Sequence, residues 1–139
     1  MIRAARPADA PALERLQSFL PEPSPDLLES ALDDGALTPA MALVSTAEAD
    51  APVASLLAVP GDAVYVAELV VAPEHRREGR ARALLDACAA RTGPDATLTV
   101  TVAPDNEAAR SCYRACGFEE DGRVPDFFED GDAVRYRRD

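Results

Sequence analysis

Lysine and tryptophan are absent from the 139 residues of this chain, and histidine occurs once, at His75. All 14 basic residues are therefore arginines. Without a lysine, the chain cannot contain a P-loop, because that phosphate-binding motif places a lysine directly after a glycine. Nucleotide binding through a P-loop is thereby excluded.

Long hydrophobic runs are also absent. A membrane-spanning helix needs about 20 apolar residues, and the nearest candidate, residues 51–72, is interrupted by Pro60, Gly61 and Asp62. The opening residues, MIRAARPADA, lack the apolar segment of a signal peptide. Three cysteines, an odd number, are typical of reduced thiols. We therefore expect a cytoplasmic protein without a membrane partner.

Negative charge dominates the chain, with 25 acidic against 14 basic residues and a formal net charge of -11. An acidic surface repels the phosphates of nucleic acids and of anionic membranes, so neither is an expected partner. A GC-rich genome would favour Ala, Arg, Asp and Gly. The alternative, which we favour, is a halophilic source, where concentrated salt shortens the Debye length and removes the repulsion between acidic groups.

The predicted elements follow the order β α α β β β α β α β β within a single domain that spans residues 1–139. Apolar and β-branched runs indicate the strands, and apolar residues at helical spacing, such as Leu13, Leu16 and Leu20, indicate the helices. Strand–helix–strand units imply a partly parallel sheet with helices packed on it, an α/β (α+β) fold. The predicted strands are 2–5, 41–45, 53–59, 63–72, 96–103, 118–124 and 133–138, and the predicted helices are 9–20, 25–35, 81–92 and 104–117.

The stretch VVAPEHRREGRARALL, residues 70–85, combines the end of a strand, a loop and the start of a helix. The first amides of a helix lack intrahelical partners and lie at the positive end of its dipole, so they bind anions. A glycine in the loop allows close approach of the backbone, and four arginines add charge and bidentate donors. The stretch predicts a phosphate-binding loop, and the alternative is a solvated, arginine-rich helix start. The dinucleotide fingerprint does not match, because the further glycines are missing.

The six residues Arg76-Arg77-Glu78-Gly79-Arg80-Ala81 fit the pattern Arg/Gln-x-x-Gly-x-Gly/Ala. With this pattern after an apolar strand and V-x-P, the chain resembles the GNAT acetyltransferase superfamily, whose loop binds the pyrophosphate of acetyl-CoA. The resemblance covers residues 63–118 well. It includes the family's second motif, which this chain matches at Asn106, Ala109, Tyr113, Gly117 and Phe118.

The resemblance implies a GNAT fold, in which a mixed central sheet of six to seven strands is flanked by about four helices. It also implies an enzyme that uses acetyl-CoA to acetylate a primary amine of a small molecule or peptide. A non-catalytic acyl-CoA-binding or regulatory domain is the alternative, and a homodimer is frequent among family members. The implied cofactor-binding residues are Leu69, Val70, Val71, Arg76, Arg77, Glu78, Gly79, Arg80, Ala81, Arg82, Asn106 and Ala109.

Tyr113 and Glu68 are the candidate catalytic residues. The resemblance implies that Tyr113 protonates the coenzyme A thiolate and that Asn106 helps to hold the pantetheine arm; a phenol is a suitable general acid. Glu68 is an unexpected charge in the apolar strand sequence VYVAELVV, and the family often has an acidic base there, acting directly or through water. The alternatives are a core tyrosine and a carboxylate hydrogen-bonded at a strand irregularity. A backbone N–H of Val70 or Val71 would meet the developing charge of the carbonyl oxygen.

The tail VPDFFEDGDAVRYRRD, residues 124–139, partly resembles the end of the ribosomal-protein and archaeal N-terminal acetyltransferases. Those enzymes usually have a tyrosine pair where this chain has Phe127-Phe128, and a glutamate where it has Thr101. A protein N-terminal acetyltransferase is therefore an alternative, beside acetylation of a polyamine, an aminoglycoside or a lysine side chain. No zinc site is expected, because His75 and the three cysteines do not form a convincing ligand set.

The acidic composition generates a prediction about salt. Raising the salt concentration from about 0.1 M to about 1 M shortens the Debye length from about 10 Å to about 3 Å and screens the repulsion between carboxylates. We expect the thermal unfolding midpoint to rise over this range, and calorimetry in a salt series measures it. Complete refolding in dilute buffer, with a midpoint insensitive to salt, would contradict the halophilic explanation.

Overall fold

The computed structural model describes residues 1–21, 23–33, 40–128 and 131–139. The predicted helix end at Gly35 lies outside these residues, as do residues 129–130 between the last two predicted strands and the side chain of Phe128. Within the described residues, no helix combines the length and the apolar character needed to cross a bilayer. The strands are β1 Ile2–Ala4, β2 Met41–Thr46, β3 Pro52–Val59, β4 Val64–Val71, β5 Leu98–Val102, β6 Glu119–Phe128 and β7 Gly131–Arg138, and the helices are α1 Ala10–Gln17, α2 Pro25–Leu32, α3 Arg80–Thr92 and α4 Glu107–Ala115.

A seven-stranded sheet forms the centre of the fold, in the order β1-β2-β3-β4-β5-β7-β6. Neighbouring strands are antiparallel except β4 and β5, which are parallel and connected through α3. A parallel pair needs such a crossover, because the chain must return to the same end of the sheet. The predicted mixed sheet, flanked by helices, is thus confirmed.

A bulge in β4 places one extra residue opposite β3. Leu57 of β3 pairs with Glu68. The next residue of β3, Ala58, pairs with Val66, so Ala67 is left between the two pairs. An extra residue of this kind interrupts the ladder and bends the strand.

The bulge reverses the alternation of side chains along β4, because successive side chains of a strand point to opposite faces. Val66 before the bulge and Leu69 after it both pack into the same core cluster, although three positions separate them. On the other face, Tyr65 and Glu68 line the same cavity. The bulge therefore brings a phenol and a carboxylate to one side of the sheet.

The strands β4 and β5 pair only at their beginnings, where Val64 lies opposite Leu98 and Tyr65 lies opposite Thr99. Beyond these pairs β5 remains hydrogen-bonded to β7 along its whole length, and β4 remains bonded to β3. The two strands therefore diverge, and a wedge opens between them.

Helices cover both faces of the sheet. On one face, Leu84 and Leu85 of α3 are fully buried in the larger core cluster, which also includes residues of α4. On the other face, Leu13 and Leu16 of α1 and Leu28 of α2 form a second cluster. Each buried leucine stabilises the fold by about 1.5–3 kcal/mol relative to an exposed one. These two apolar layers hold the helices against the sheet.

Helix α4 is shorter than predicted, because it begins at Glu107 and not at residue 104. Asn106 is its N-cap, with Oδ1 accepting a hydrogen bond from the backbone N–H of Ala109 at 3.1 Å. Asparagine is one of the residues preferred at this position, because its short side chain can accept a hydrogen bond from the first helical turn. The helix ends at Ala115, two residues before its predicted end, and Gly117 follows in a left-handed conformation with φ of 92°.

Arg3, on the edge strand β1, is hydrogen-bonded to the segment that precedes α1. Its guanidinium donates hydrogen bonds to the two oxygens of Asp9 at 2.7 and 3.0 Å and to Asp50 at 3.0 Å. Asp9 also accepts a hydrogen bond from the backbone N–H of Arg6 at 2.8 Å. The side-chain hydrogen bond from Arg3 lowers the pKa of Asp9 below its ordinary value, and the backbone bond adds to this effect.

We expect Asp9→Asn to lower the free energy of unfolding at neutral pH by about 2 kcal/mol, because the guanidinium loses a charged, nearly buried partner. Folding lowers the pKa of Asp9, so its contribution is complete above the unfolded-state pKa of about 3.9 and is lost as the pH falls through the folded-state pKa. Denaturant unfolding of both proteins should therefore show a difference that shrinks in acid. An unchanged difference at low pH would contradict this role.

Candidate active site

A cavity of about 840 Å³ opens where β4 and β5 diverge. The two strands form its floor, the connection between α1 and α2 forms one wall, and the beginning of α4 and the β6–β7 hairpin form the other. Glu68 and Tyr113, the two predicted catalytic residues, both line this cavity. Leu69, Asn106 and Ala109, predicted to bind the cofactor, line it as well. The structure therefore brings together residues of two separate elements, β4 and α4 with its N-cap.

Glu68 is buried, with 6% of its surface exposed, and its carboxylate accepts hydrogen bonds from two chain segments. The side-chain amide nitrogen of Gln17, at the end of α1, lies 3.0 Å from Oε1 and 3.1 Å from Oε2. The backbone N–H of Ser24, directly before α2, donates to Oε2 at 2.5 Å. Buried charges persist only when hydrogen-bonded or paired, and these donors meet that requirement. Sequence reasoning did not identify Gln17 or Ser24 as hydrogen-bond donors to Glu68.

Tyr113 lies on the buried face of α4. Its ring packs edge-on against Phe118, with 5.3 Å between the ring centroids. Burial raises the pKa of Tyr113 well above its ordinary value, and the neighbouring Cys112 and Tyr65 raise it further. The phenol therefore keeps its proton throughout the neutral range, and it can donate that proton or a hydrogen bond into the cavity.

A second phenol in the cavity was not predicted. The hydroxyl of Tyr65 lies 2.7 Å from the hydroxyl of Thr101, so a hydrogen bond connects β4 with β5 close to their last paired residues. The sequence signal for this contact was weak, because neither a tyrosine in β4 nor a threonine in β5 indicates that their hydroxyl groups will meet.

Arg80 braces the loop that precedes α3 against the neighbouring strand β2. Its guanidinium donates to the hydroxyl of Ser45 at 2.8 Å and to Glu78 Oε1 at 2.9 Å. His75 Nδ1 lies 3.1 Å from the same Glu78 oxygen. These contacts connect the two ends of the loop with each other and with the sheet.

Two further arginines, one in the loop and one in the first turn of α3, bond to backbone carbonyl groups. Arg76 Nε donates to the carbonyl of Val71 at 3.3 Å, at the end of β4. Arg82 donates to the carbonyl of Ala115, the last residue of α4. These side chains therefore connect the loop and the start of α3 with the ends of β4 and α4, which border the cavity.

The loop backbone itself remains open toward solvent. Gly79 is the residue before α3 and has φ of 77°, a conformation that favours glycine. A Cβ atom at Gly79 would meet no heavy atom within 4 Å. Arg77 is also left-handed, with φ of 65°, so two nearby residues turn the chain sharply. Within the described residues, no side chain caps the first turn of α3.

The backbone of β4 presents N–H groups to the wedge. The N–H of Ala72 donates to the carbonyl of Val53 at 2.9 Å, so this peptide group faces β3. Successive residues of an antiparallel strand point their N–H groups alternately toward and away from the partner strand. The N–H groups of Leu69 and Val71 therefore face the side from which β5 has diverged, whereas that of Val70 faces β3.

The lining of the cavity is acidic. Asp105, before α4, and Asp132, in β7, line it together with Glu68. Among the described lining residues there is no arginine and no histidine. Apolar residues of the two walls, among them Leu20 and Phe127, complete the lining. The cavity is thus suited to a ligand that has both apolar and cationic parts.

The cysteines are part of the core. Cys88 and Cys116 are buried, Cys112 is half-buried, and all three are free thiols. Burial raises the pKa of Cys112 to about 11, and Cys116 contributes to the same shift. Within the described part of the chain, no group of three or more His, Cys, Asp or Glu side chains could hold a metal ion.

Comparisons with known proteins agree with this architecture. Residues 10–118 match the family model described as Acetyltransferase (GNAT) family. The mycothiol acetyltransferase of Clavibacter sepedonicus is 41% identical over 70 residues, which are 50% of this chain and 23% of that protein. The chain therefore spans about a quarter of the length of this curated relative.

Two solved structures share the whole fold at low sequence identity. The ribosomal-protein-S18-alanine N-acetyltransferase from Escherichia coli is 22% identical, with a TM-score of 0.78 over 99% of this chain and 92% of the other. NAA60 of Arabidopsis thaliana, in complex with a bisubstrate analogue, is 14% identical, with a TM-score of 0.81 over 99% of this chain and 97% of the other. At these identities the likeness supports the fold alone.

The raised pKa of Cys112 predicts slow alkylation, because the thiolate is the reactive form. At pH 8 we expect Cys112 in the folded protein to react with iodoacetamide on the order of 100-fold more slowly than an ordinary cysteine with a pKa of about 8.5. Peptide mass spectrometry over time measures this rate, and the protein unfolded in denaturant is the control. Equal rates in both states would show that the thiol is not protected.

Proposed function

Because the chain belongs to the GNAT acetyltransferase family, we propose that it is an enzyme that transfers an acetyl group from acetyl-CoA directly to a primary amine of a small molecule or peptide. The observation that supports this most directly is that Glu68 and Tyr113 line one cavity. A carboxylate can accept a proton, and a protonated phenol can donate one. This pair suits a reaction in which an amine loses a proton and a leaving group gains one.

The loop and β4 fit an extended acyl-CoA molecule. The backbone amides of residues 77–82 would hold the pyrophosphate, and the open space beside Gly79 leaves room for it. The N–H groups of Leu69 and Val71, which face the wedge, would bind carbonyl groups of the cofactor. Asn106 lines the same cavity and would contact the pantetheine arm. Bound acetyl-CoA supplies the thioester whose acetyl group is transferred.

Each proposed residue then has one task in the transfer. Glu68 accepts a proton from the ammonium group of the substrate, directly or through water, because only the neutral amine has a free lone pair. The N–H of Val71 donates a hydrogen bond to the carbonyl oxygen as negative charge develops there. Tyr113 donates its proton to the departing sulphur and is then reprotonated. Overall, the ammonium nitrogen loses two protons, of which one ends on the sulphur and the other is released to solvent.

We propose a cationic acceptor. The carboxylates of Glu68, Asp105 and Asp132 line the cavity, and their field raises the local concentration of positively charged molecules.

The raised pKa of the Cys112 thiol supports direct transfer of the acetyl group, because a protonated thiol is a poor nucleophile and would not readily form a covalent acetyl-enzyme.

The test is release of thiol from acetyl-CoA by the purified protein with a panel of amines, at low and at high salt. The panel includes monoamines, diamines, polyamines, aminoglycosides and short peptides with free N-termini. We expect turnover with at least one cationic amine. Binding of acetyl-CoA without turnover on any amine would contradict the proposal and favour a non-catalytic acyl-CoA-binding domain.

Replacing Tyr113 by Phe removes only the hydroxyl, so we expect kcat to fall by about 100-fold while the KM for acetyl-CoA changes little. Tyr136→Phe is the matched control, because Tyr136 is also buried but bonds to Arg110 at 3.0 Å and does not line the cavity. Steady-state kinetics of the three proteins make the comparison. Unchanged kcat in Tyr113→Phe would remove this phenol from the mechanism.

A further inference from the structure

Gln17 is a buried amide among apolar neighbours. Only 6% of its surface is exposed, and Leu13 and Leu16 of the same helix are fully buried beside it. Burying an amide is unfavourable unless it is hydrogen-bonded, and Gln17 meets this requirement by donating to Glu68, 51 positions away. The packing of α1 does not by itself account for a polar residue at this buried position, whereas the contact with Glu68 does.

The hydrogen bonds divide unequally between the two carboxylate oxygens of Glu68. Oε2 accepts from Gln17 Nε2 at 3.1 Å and from the backbone N–H of Ser24 at 2.5 Å. Oε1 accepts only from Gln17 Nε2, at 3.0 Å, among the contacts of the described residues. Each carboxylate oxygen has two lone pairs. Both acceptor sites of Oε2 are therefore used, whereas Oε1 keeps one.

We infer that Gln17 is a positioning residue, which orients the Glu68 carboxylate so that Oε1 is the atom that takes the proton of the substrate amine. This inference rests on the proposed acetyl transfer and assigns its first proton movement to one atom. The N–H bond of the ammonium group breaks, its electron pair stays on nitrogen, and the proton forms a bond with Oε1, directly or through one water. Glu68 becomes a neutral acid that still accepts the bonds of Ser24 and Gln17 at Oε2.

The same bonds fix one wall of the cavity. Gln17 is the last residue of α1 and Ser24 immediately precedes α2, so both ends of the intervening connection are fastened to Glu68. Leu20, within that connection, lines the cavity. The proton acceptor and the wall against which the substrate would lie are thus held in one fixed relation.

Among the residues that the structure describes, the other ionisable groups that face the cavity are Tyr65, Asp105, Tyr113 and Asp132. Gln17 itself does not titrate, so its removal changes no charge in this set. A carboxylate that loses a hydrogen-bond donor binds a proton more readily. Removing Gln17 should therefore move the acidic limb of the pH profile of the reaction, which removal of a purely structural residue would not do.

The first experiment compares wild type with Gln17→Met, which has a similar length but no donor. We expect kcat/KM for the amine to fall by about 10- to 100-fold, the KM for acetyl-CoA to stay unchanged, and the acidic limb of the pH profile to move up by about one unit. Ser18→Ala is the control, because Ser18 is exposed and bonds to the carbonyl of Arg15. An unmoved acidic limb with only a lower unfolding temperature would overturn the inference.

The second experiment exchanges the two side chains in Gln17→Glu/Glu68→Gln. This variant keeps one amide and one carboxylate in contact but moves the proton acceptor onto α1. We expect its unfolding temperature to recover toward wild type relative to Glu68→Gln, while turnover stays at least about 100-fold below wild type. Wild-type turnover in the exchanged protein would show that the position of the carboxylate is unimportant, and would overturn the assignment.

The third readout needs neither cofactor nor substrate. In protein labelled with ¹³C at the glutamate carboxyl, the Glu68 resonance is identified by its absence in Glu68→Gln. We expect its chemical shift at neutral pH to differ between Gln17→Met and wild type, because the carboxylate loses its two contacts with the amide of Gln17. A coincident chemical shift would overturn the positioning role. Failure of wild type to acetylate any amine would instead contradict the proposed function, and with it the role of Oε1 as the proton acceptor.

Discussion

The divergence of β4 from β5 after Tyr65 is the constraint on which the rest of the site depends. Both strands keep their outer partners, so neither loses its place in the sheet when the inner pairing ends. The N–H groups of Leu69 and Val71 are consequently left facing an opening and not a neighbouring strand. Backbone groups of this kind need partners, so the opening is a natural place for the polar groups of a ligand. The bulge at Ala67 then turns Glu68 toward the same opening.

The buried carboxylate of Glu68 joins parts of the molecule that are distant along the chain. Its donors come from the end of α1 and from the residue before α2, and the strand that contains it lies in the middle of the sheet. Without those donors, a buried negative charge would be strongly unfavourable. The donors that stabilise the buried charge also fix the orientation of the carboxylate, because hydrogen bonds to a carboxylate are directional. Stability and geometry at this position therefore have the same physical origin.

The arginines of the loop and of the first turn of α3 show how a charged sequence motif acts through structure. Arg76 and Arg82 bond to backbone carbonyl groups, and Arg80 bonds to a serine hydroxyl and a carboxylate. A guanidinium has five donors in a rigid plane, so it can bridge several elements where an ammonium group would act as a point charge. The side chains brace the loop, and its amides stay open beside Gly79. Anion binding, as proposed here, therefore depends mainly on the backbone.

Local information in the sequence was enough to predict the order of the elements, the mixed sheet and the family. It also singled out Glu68 and Tyr113 as candidate catalytic residues. Hydrophobic periodicity, caps and short motifs each act within a few residues, so they are readable without a structure. The bounds of α4, the bulge at Ala67, and the contact between Gln17 and Glu68 were decided only by the tertiary structure. These features depend on strand register and on residues 51 positions apart, and no local pattern encodes which distant side chains will meet.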